Sequence, residues 1–267
     1  MKFSIANSLR ILTLLLFCIS LRFFYLLQQG DFEPAQVVSD LPNHPEWEFN
    51  EHPPLNLLNQ TFSFLGAGDQ CYAFLGEDGT TVLKLLKHFD ANGKRILDPV
   101  LESYKIAYQE LREETGLLYL HLNKTDSHIL TMIDKTGFLH QIDLGATEYA
   151  LQKKVDALIV PMLNQLRRNP EVLKERIHSL LSLIASRCSK GIADRDTAIH
   201  RNIGFLGHNA IALDIGSYFK NEELKKNPYD EIARHTKRLV RWLRKHQPSL
   251  LPFYEQKLAL FESGCEY

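Results

Sequence analysis

The chain has 267 residues, with 31 lysines and arginines against 32 aspartates and glutamates. A formal net charge of −1 gives no overall basic excess, which argues against a nucleic-acid partner. Apolar residues are 45% and charged residues 24%, ordinary globular usage that excludes a wholly disordered chain and a polytopic membrane protein.

Lys2 and Arg10 precede an apolar run from Ile11 to Leu21; Arg22 interrupts it and Phe23 to Leu27 resumes it. A full membrane span needs about 20 residues, but an arginine near a helix end can snorkel. Residues 1–27 therefore read as a signal anchor first, with a cleaved signal peptide or an interfacial helix as alternatives. The expected localisation is a single-pass membrane protein. Lys2 and Arg10 favour a cytoplasmic N-terminus, and Arg22 on the far flank opposes it, so the side is left open. Residues 28–58 carry Pro34, Pro42, Pro45, Pro53 and Pro54 and read as an extended linker. The folded domain is expected from near Leu57.

Three strand patterns follow: Thr61 to Leu65, Cys71 to Leu75 and Thr80 to Leu86. With glycines between them they predict an antiparallel meander. Pro99 suits the first turn of a long helix running to about Leu122. Its stripe Leu101, Tyr104, Tyr108, Leu111, Thr115, Leu118, Leu122 steps by three and four. Ile129 to Ile133 and Phe138 to Ile142 predict a hairpin around Asp134-Lys135-Thr136-Gly137, and Tyr149 to Leu151 one more strand. Beyond Val155 the pattern is mostly helical, including Glu171 to Cys188 and the basic amphipathic stretch Asp230 to His246. Strands first and helices second predict an α+β protein with two lobes, 59–152 and 153–267. The four cysteines, Cys18, Cys71, Cys188 and Cys265, form no Cys-x-x-Cys pair, so zinc and thioredoxin motifs are absent. Asn59-Gln60-Thr61 and Asn123-Lys124-Thr125 match glycosylation sequons.

The segment Gly66-Ala67-Gly68-Asp69-Gln70-Cys71 is a glycine-rich turn between two strands, and Lys84 lies on the next strand. Such a turn lets backbone N–H groups approach phosphates, and a lysine beyond it supplies a point charge. The motif is neither a Walker A loop nor a Rossmann fingerprint. Asp194-Arg195-Asp196, Asn202-Ile203-Gly204-Phe205-Leu206 and Asp214-Ile215-Gly216 follow in order. Together these pieces resemble the protein-kinase-like superfamily, with Asp194-Arg195-Asp196 standing for His-Arg-Asp and Asp214-Ile215-Gly216 for Asp-Phe-Gly. The resemblance covers roughly residues 60 to 220.

The resemblance implies a two-lobed kinase-like fold, with an antiparallel sheet and one long helix before a reduced helical lobe. It implies ATP and Mg²⁺ as cofactors. Lys84 would hold phosphates under Gly66 and Gly68. Asp214 and Asn202 would be metal ligands, and Asp196 or Asp194 the base that takes the acceptor proton. A glutamate would orient Lys84. Glu110, Glu113 and Glu114 are candidates, and Glu114, with Leu117 and Leu118 after it, fits best. The adenine hinge falls near Ala150-Leu151-Gln152. Four departures stand out: Cys71 replaces the third glycine, Asp194 replaces histidine, the Asp196 to Asn202 spacing is one longer, and no Ala-Pro-Glu occurs in the 51 residues after Gly216. They turn the resemblance toward compact small-molecule and lipopolysaccharide kinases. An active kinase, with a small molecule, sugar, lipid headgroup or protein as acceptor, is the first expectation. A pseudokinase scaffold is the second. A domain with no nucleotide site is the third, and it predicts that Lys84, Asn202 and Asp214 do not converge.

Overall fold

The computed structural model describes residues 5–28, 32–89 and 93–262; Lys2 and Cys265 lie outside them. Helix α1, Ile5–Gln28, is followed by a strap of irregular chain and the single turn α2, Leu55–Leu58. The first half then contains β1 (Phe62–Ala67), β2 (Cys71–Gly76), β3 (Thr81–Leu86), α3 (Leu97–Glu110), α4 (Arg112–Thr115), β4 (Leu117–His121), β5 (Ile129–Ile133), β6 (Leu139–Asp143) and β7 (Tyr149–Lys153). Its seven strands form one sheet in the order β4-β7-β3-β2-β1-β5-β6. The second half holds β8 (Ala157–Leu158), α5 (Ile159–Gln165), α6 (Pro170–Ser189), β9 (Ile192–Asp194), α7 (Ile199–Asn202), β10 (Ile203–Leu206), β11 (Asn209–Ala212), β12 (Tyr218–Lys220), α8 (Tyr229–His246) and α9 (Leu251–Ala259).

This is an α+β protein, but two parts of the expected fold need correction. β1, β2 and β3 pair as the expected antiparallel meander, but the whole sheet is mixed rather than antiparallel, because the β5–β6 hairpin joins it through a parallel β1–β5 pair, Phe62 opposite Met132. Among the described residues, no helix is long and apolar enough to cross a membrane, so the expected membrane-crossing apolar helix is not supported. Helix α1 runs through Asn7, Arg10 and Arg22, which dilute a short apolar run.

β3 is buried along its whole length because it is an interior strand with both faces covered. Side chains alternate along a strand. Leu83 and Leu85 join a cluster with Phe62, Tyr72, Phe74, Tyr149 and Leu151 on one face. Leu86 joins α3, α6 and α8 on the other. Lys84 has the parity of Leu86, so it faces the second half of the molecule.

The long predicted helix is broken. α3 stops at Glu110, and Gly116 adopts φ +64° after the single turn α4. A left-handed residue at this point is a common helix stop that glycine occupies without a side-chain penalty. Leu117 and Leu118 suit a helix and a strand equally well; pairing of Leu117–His121 with β7 makes this segment a strand, and Leu122 lies just past its end. The proline-containing strap is also part of the fold rather than a free linker. Phe32, Val37, Leu41 and Trp47 are buried, and the Glu51 carboxylate accepts from Tyr108 and Arg112.

Candidate functional site

The backbone of Leu213 is the meeting point of the predicted site. The Lys84 ammonium donates to the Leu213 carbonyl oxygen. The Leu213 N–H donates to the Asn202 carbonyl at 2.7 Å. Asp214 follows at once, exposed, with one carboxylate oxygen 3.3 Å from the Gly216 N–H. Residues from β3, the end of α7 and the loop after β11 therefore meet, whereas the third expectation has Lys84, Asn202 and Asp214 apart.

Asp196 lies in the loop between β9 and α7. One carboxylate oxygen accepts from the Ala198 N–H at 2.8 Å and the other from the Asn202 amide at 2.9 Å. Burial alone would raise its pKa, but these two bonds outweigh it and hold the carboxyl below its ordinary value. Asp194 has a different environment. It is buried, pairs with Arg187 at 3.1 Å and accepts from the Ser217 hydroxyl and the Asp196 N–H. Its position holds the chain, while Asp196 is half-exposed beside Asn202. A narrow recess of about 30 Å³, lined by Glu114, Arg187, Asp194, Asp196, Asn202 and Asp214, has room for about two waters. A nucleotide needs far more space.

Two expected partners lie elsewhere. Glu114 accepts from Ser186 at 2.6 Å and from the Lys190 ammonium, both on or just after α6, and not from Lys84. Glu110 pairs with Lys220, so it is not the Lys84 partner either. The reason is the early end of α3, which carries Glu114 past the sheet to the second half. Leu151 is fully buried in the cluster that contains Leu83, on the face turned away from Lys84. Its neighbour Gln152 has the right parity and donates to the carbonyls of Thr115 and Ala212 at 2.6 and 3.0 Å. Gly66 has open space where a side chain would stand, and the Gly68 N–H is used within the turn by the Cys71 carbonyl at 2.9 Å.

Several residues at the site carry no motif. The Ser103 hydroxyl donates to the Ile215 carbonyl and accepts from the Tyr218 N–H at 2.6 Å, so α3 grips the Asp214-Ile215-Gly216 segment directly. A serine inside the apolar stripe beside Leu101 and Tyr104 was the available signal. Cys71 bonds to the Tyr104 hydroxyl near Lys84 and Asp214, and burial pushes both groups up in pKa. Gln70, from the glycine-rich turn, donates to the Gly216 carbonyl at 3.4 Å, and its own side-chain oxygen is buried without a partner among the described residues.

Mg²⁺ takes oxygen ligands and retains waters, so an exposed Asp214 carboxylate with the nearby Asn202 amide oxygen suits it. Among the described residues, no group of three or more His, Cys, Asp or Glu side chains is arranged as a metal cage. In comparisons with known proteins, no family model matches the chain and no curated protein matches it.

Proposed function

We propose that the chain is an atypical kinase-like phosphotransferase, moving the γ-phosphoryl group of ATP to a hydroxyl of a small molecule, sugar or lipid headgroup, or of a protein. The observation that carries this reading is the convergence of Lys84 and Asn202 on Leu213, directly before Asp214. Lys84 would leave the Leu213 carbonyl for phosphate oxygens, a charge-assisted exchange that strengthens its bond. Asp214 and Asn202 would hold Mg²⁺, which supplies charge neutralisation of the phosphates. Asp196 would accept the hydroxyl proton and orient its lone pair. Its lowered pKa keeps it ionised at neutral pH, so orientation is its larger contribution.

A pseudokinase is the second reading, and a specific observation favours it. Among the described residues Lys84 has no glutamate partner, and Gln70 lies against Gly216 where phosphates would pass. A binding or scaffolding module needs no opening of that contact.

The test is the melting temperature of the full chain with and without Mg-ATP, for wild type and Asp214→Ala, followed by transfer of labelled phosphate. A rise lost in Asp214→Ala, with turnover, supports the kinase. A rise without turnover supports the pseudokinase. No rise in a folded chain overturns both.

A further inference from the structure

Helix α8 begins with Asp230 and Glu231 and contains no acid after them, while Arg234, Lys237, Arg238, Arg241, Arg244 and Lys245 follow. Glu231 is buried and consumed by Arg187, Arg234 and His235. Lys237, Arg238, Arg241, Arg244 and Lys245 are exposed. At 100° per residue these five lie within about a third of the helix circumference, opposite the buried Ile232, Thr236, Leu239 and Leu243. Among the described residues none of the five pairs with a carboxylate, although the chain as a whole has net charge −1. Positive charge is segregated here.

The cationic field reaches the neighbours of the helix. The Arg238 guanidinium contacts the His200 ring at 2.6 Å. Burial first, then Arg238 and Arg201, hold the His200 imidazole below its usual range. Beside the row, Trp242 is half-buried and its indole N–H donates to Asn164 of α5 at 3.4 Å. Leu158, the last residue of β8, and Val160, in the first turn of α5, are exposed at 43% and 42%. A row of cations on a convex helix face has no walls to enclose a small anion. It matches an extended sheet of negative charge. Apolar side chains and a tryptophan at the edge of such a row are the composition of a peripheral membrane face. A nucleic-acid backbone would make no use of Leu158 and Val160.

We propose that the exposed basic face of α8, with Trp242 at its edge and the exposed Val160 on the α5 helix that Trp242 contacts, docks on an anionic lipid bilayer. This surface binding requires no helix to cross the membrane and does not depend on the kinase reading. His200 lies four residues after Asp196, so docking would bring the candidate loop beside lipid headgroups.

The test is co-sedimentation of the full chain with vesicles of phosphatidylcholine alone and of phosphatidylcholine with phosphatidylserine. Wild type is expected to bind the anionic vesicles more tightly and to be released by high salt. A triple variant, Lys237→Glu, Arg241→Glu and Arg244→Glu, should bind them at least about a hundredfold more weakly. The corresponding triple glutamine variant should fall between. All three positions are exposed, and an unchanged melting temperature would establish that each variant is folded. Equal binding by wild type and the folded glutamate variant would overturn the proposal. So would retention by duplex DNA with no preference for anionic vesicles, which would reassign the face to nucleic acid.

Discussion

Lys84 and Leu213 are 129 positions apart, and the ammonium of the first donates to the backbone carbonyl of the second. The bond joins an interior strand of the large sheet to the loop that presents Asp214. Replacing Lys84 by methionine keeps most of the stem and leaves that carbonyl without its donor. A cost of about 1–3 kcal/mol is expected, a fall of roughly 2–4 °C per kcal/mol. The same variant should lose the Mg-ATP rise in melting temperature. Thermal unfolding with and without nucleotide checks both.

Asp214 and Asp196 should separate binding from turnover. Asp214 is exposed and makes one local bond, so Asp214→Asn should change stability by less than about 0.5 kcal/mol while removing the Mg²⁺-dependent rise. Asp196→Asn should keep the nucleotide rise and reduce phosphate transfer by about 10²–10⁴-fold. Loss of the rise in Asp196→Asn alone would point to metal binding by that residue instead.

Glu114 and Lys190 tie the first half to the second. The Glu114 side chain is 10% exposed, and one of its oxygens has no partner among the described residues. Removing the cation leaves a nearly buried charge, so Lys190→Met should cost about 3 kcal/mol, and adding Glu114→Gln should recover part of it. Because Glu114 does not touch Lys84, Glu114→Gln should retain the Mg-ATP rise. Denaturant unfolding of the double-mutant cycle tests the pair.

Glu231 sets an acid limit on stability. Burial alone would raise its pKa, but hydrogen bonds from His235 and Arg234, with the Arg187 charge, bring it down to about 2 from 4.5. A lowered folded pKa gives stability that is present above 4.5 and lost as pH falls through about 2. The difference corresponds to about 3 kcal/mol. Asp194, which faces the same Arg187 and is raised in pKa by burial, acts in the opposite sense. The contrast between wild type and Glu231→Gln therefore isolates Glu231. The wild type should lose more melting temperature than the variant between about pH 5 and pH 3.

The strap before the sheet should be essential. Trp47 is 8% exposed within the main core cluster and donates to Glu102 at 3.3 Å. Trp47→Ala should cost about 3–5 kcal/mol, and calorimetry of the full chain would read it.

The strands around the glycine-rich turn, the Asp134 hairpin and the helix of residues 170–189 were legible in the sequence. Their periods and turn residues agree with their environments, as with Asn169 and Pro170 at the start of α6. The order of Lys84, Asp196, Asn202 and Asp214 is read directly from the chain; the meeting of Lys84 and Asn202 at Leu213 is not. What the sequence could not determine depends on contacts between distant segments. Leu117 to His121 suit helix and strand alike, and only β7 beside them decides for the strand. The strap looked like a linker because its prolines suit an extended chain, and only Phe32, Val37 and Trp47 in their pockets make it structure. Leu117 and Leu118 after Glu114 suggest a glutamate turned toward the sheet, but a glutamate's partner is set by which cation folding brings near. Here that cation is Lys190, and Lys84 instead holds Leu213.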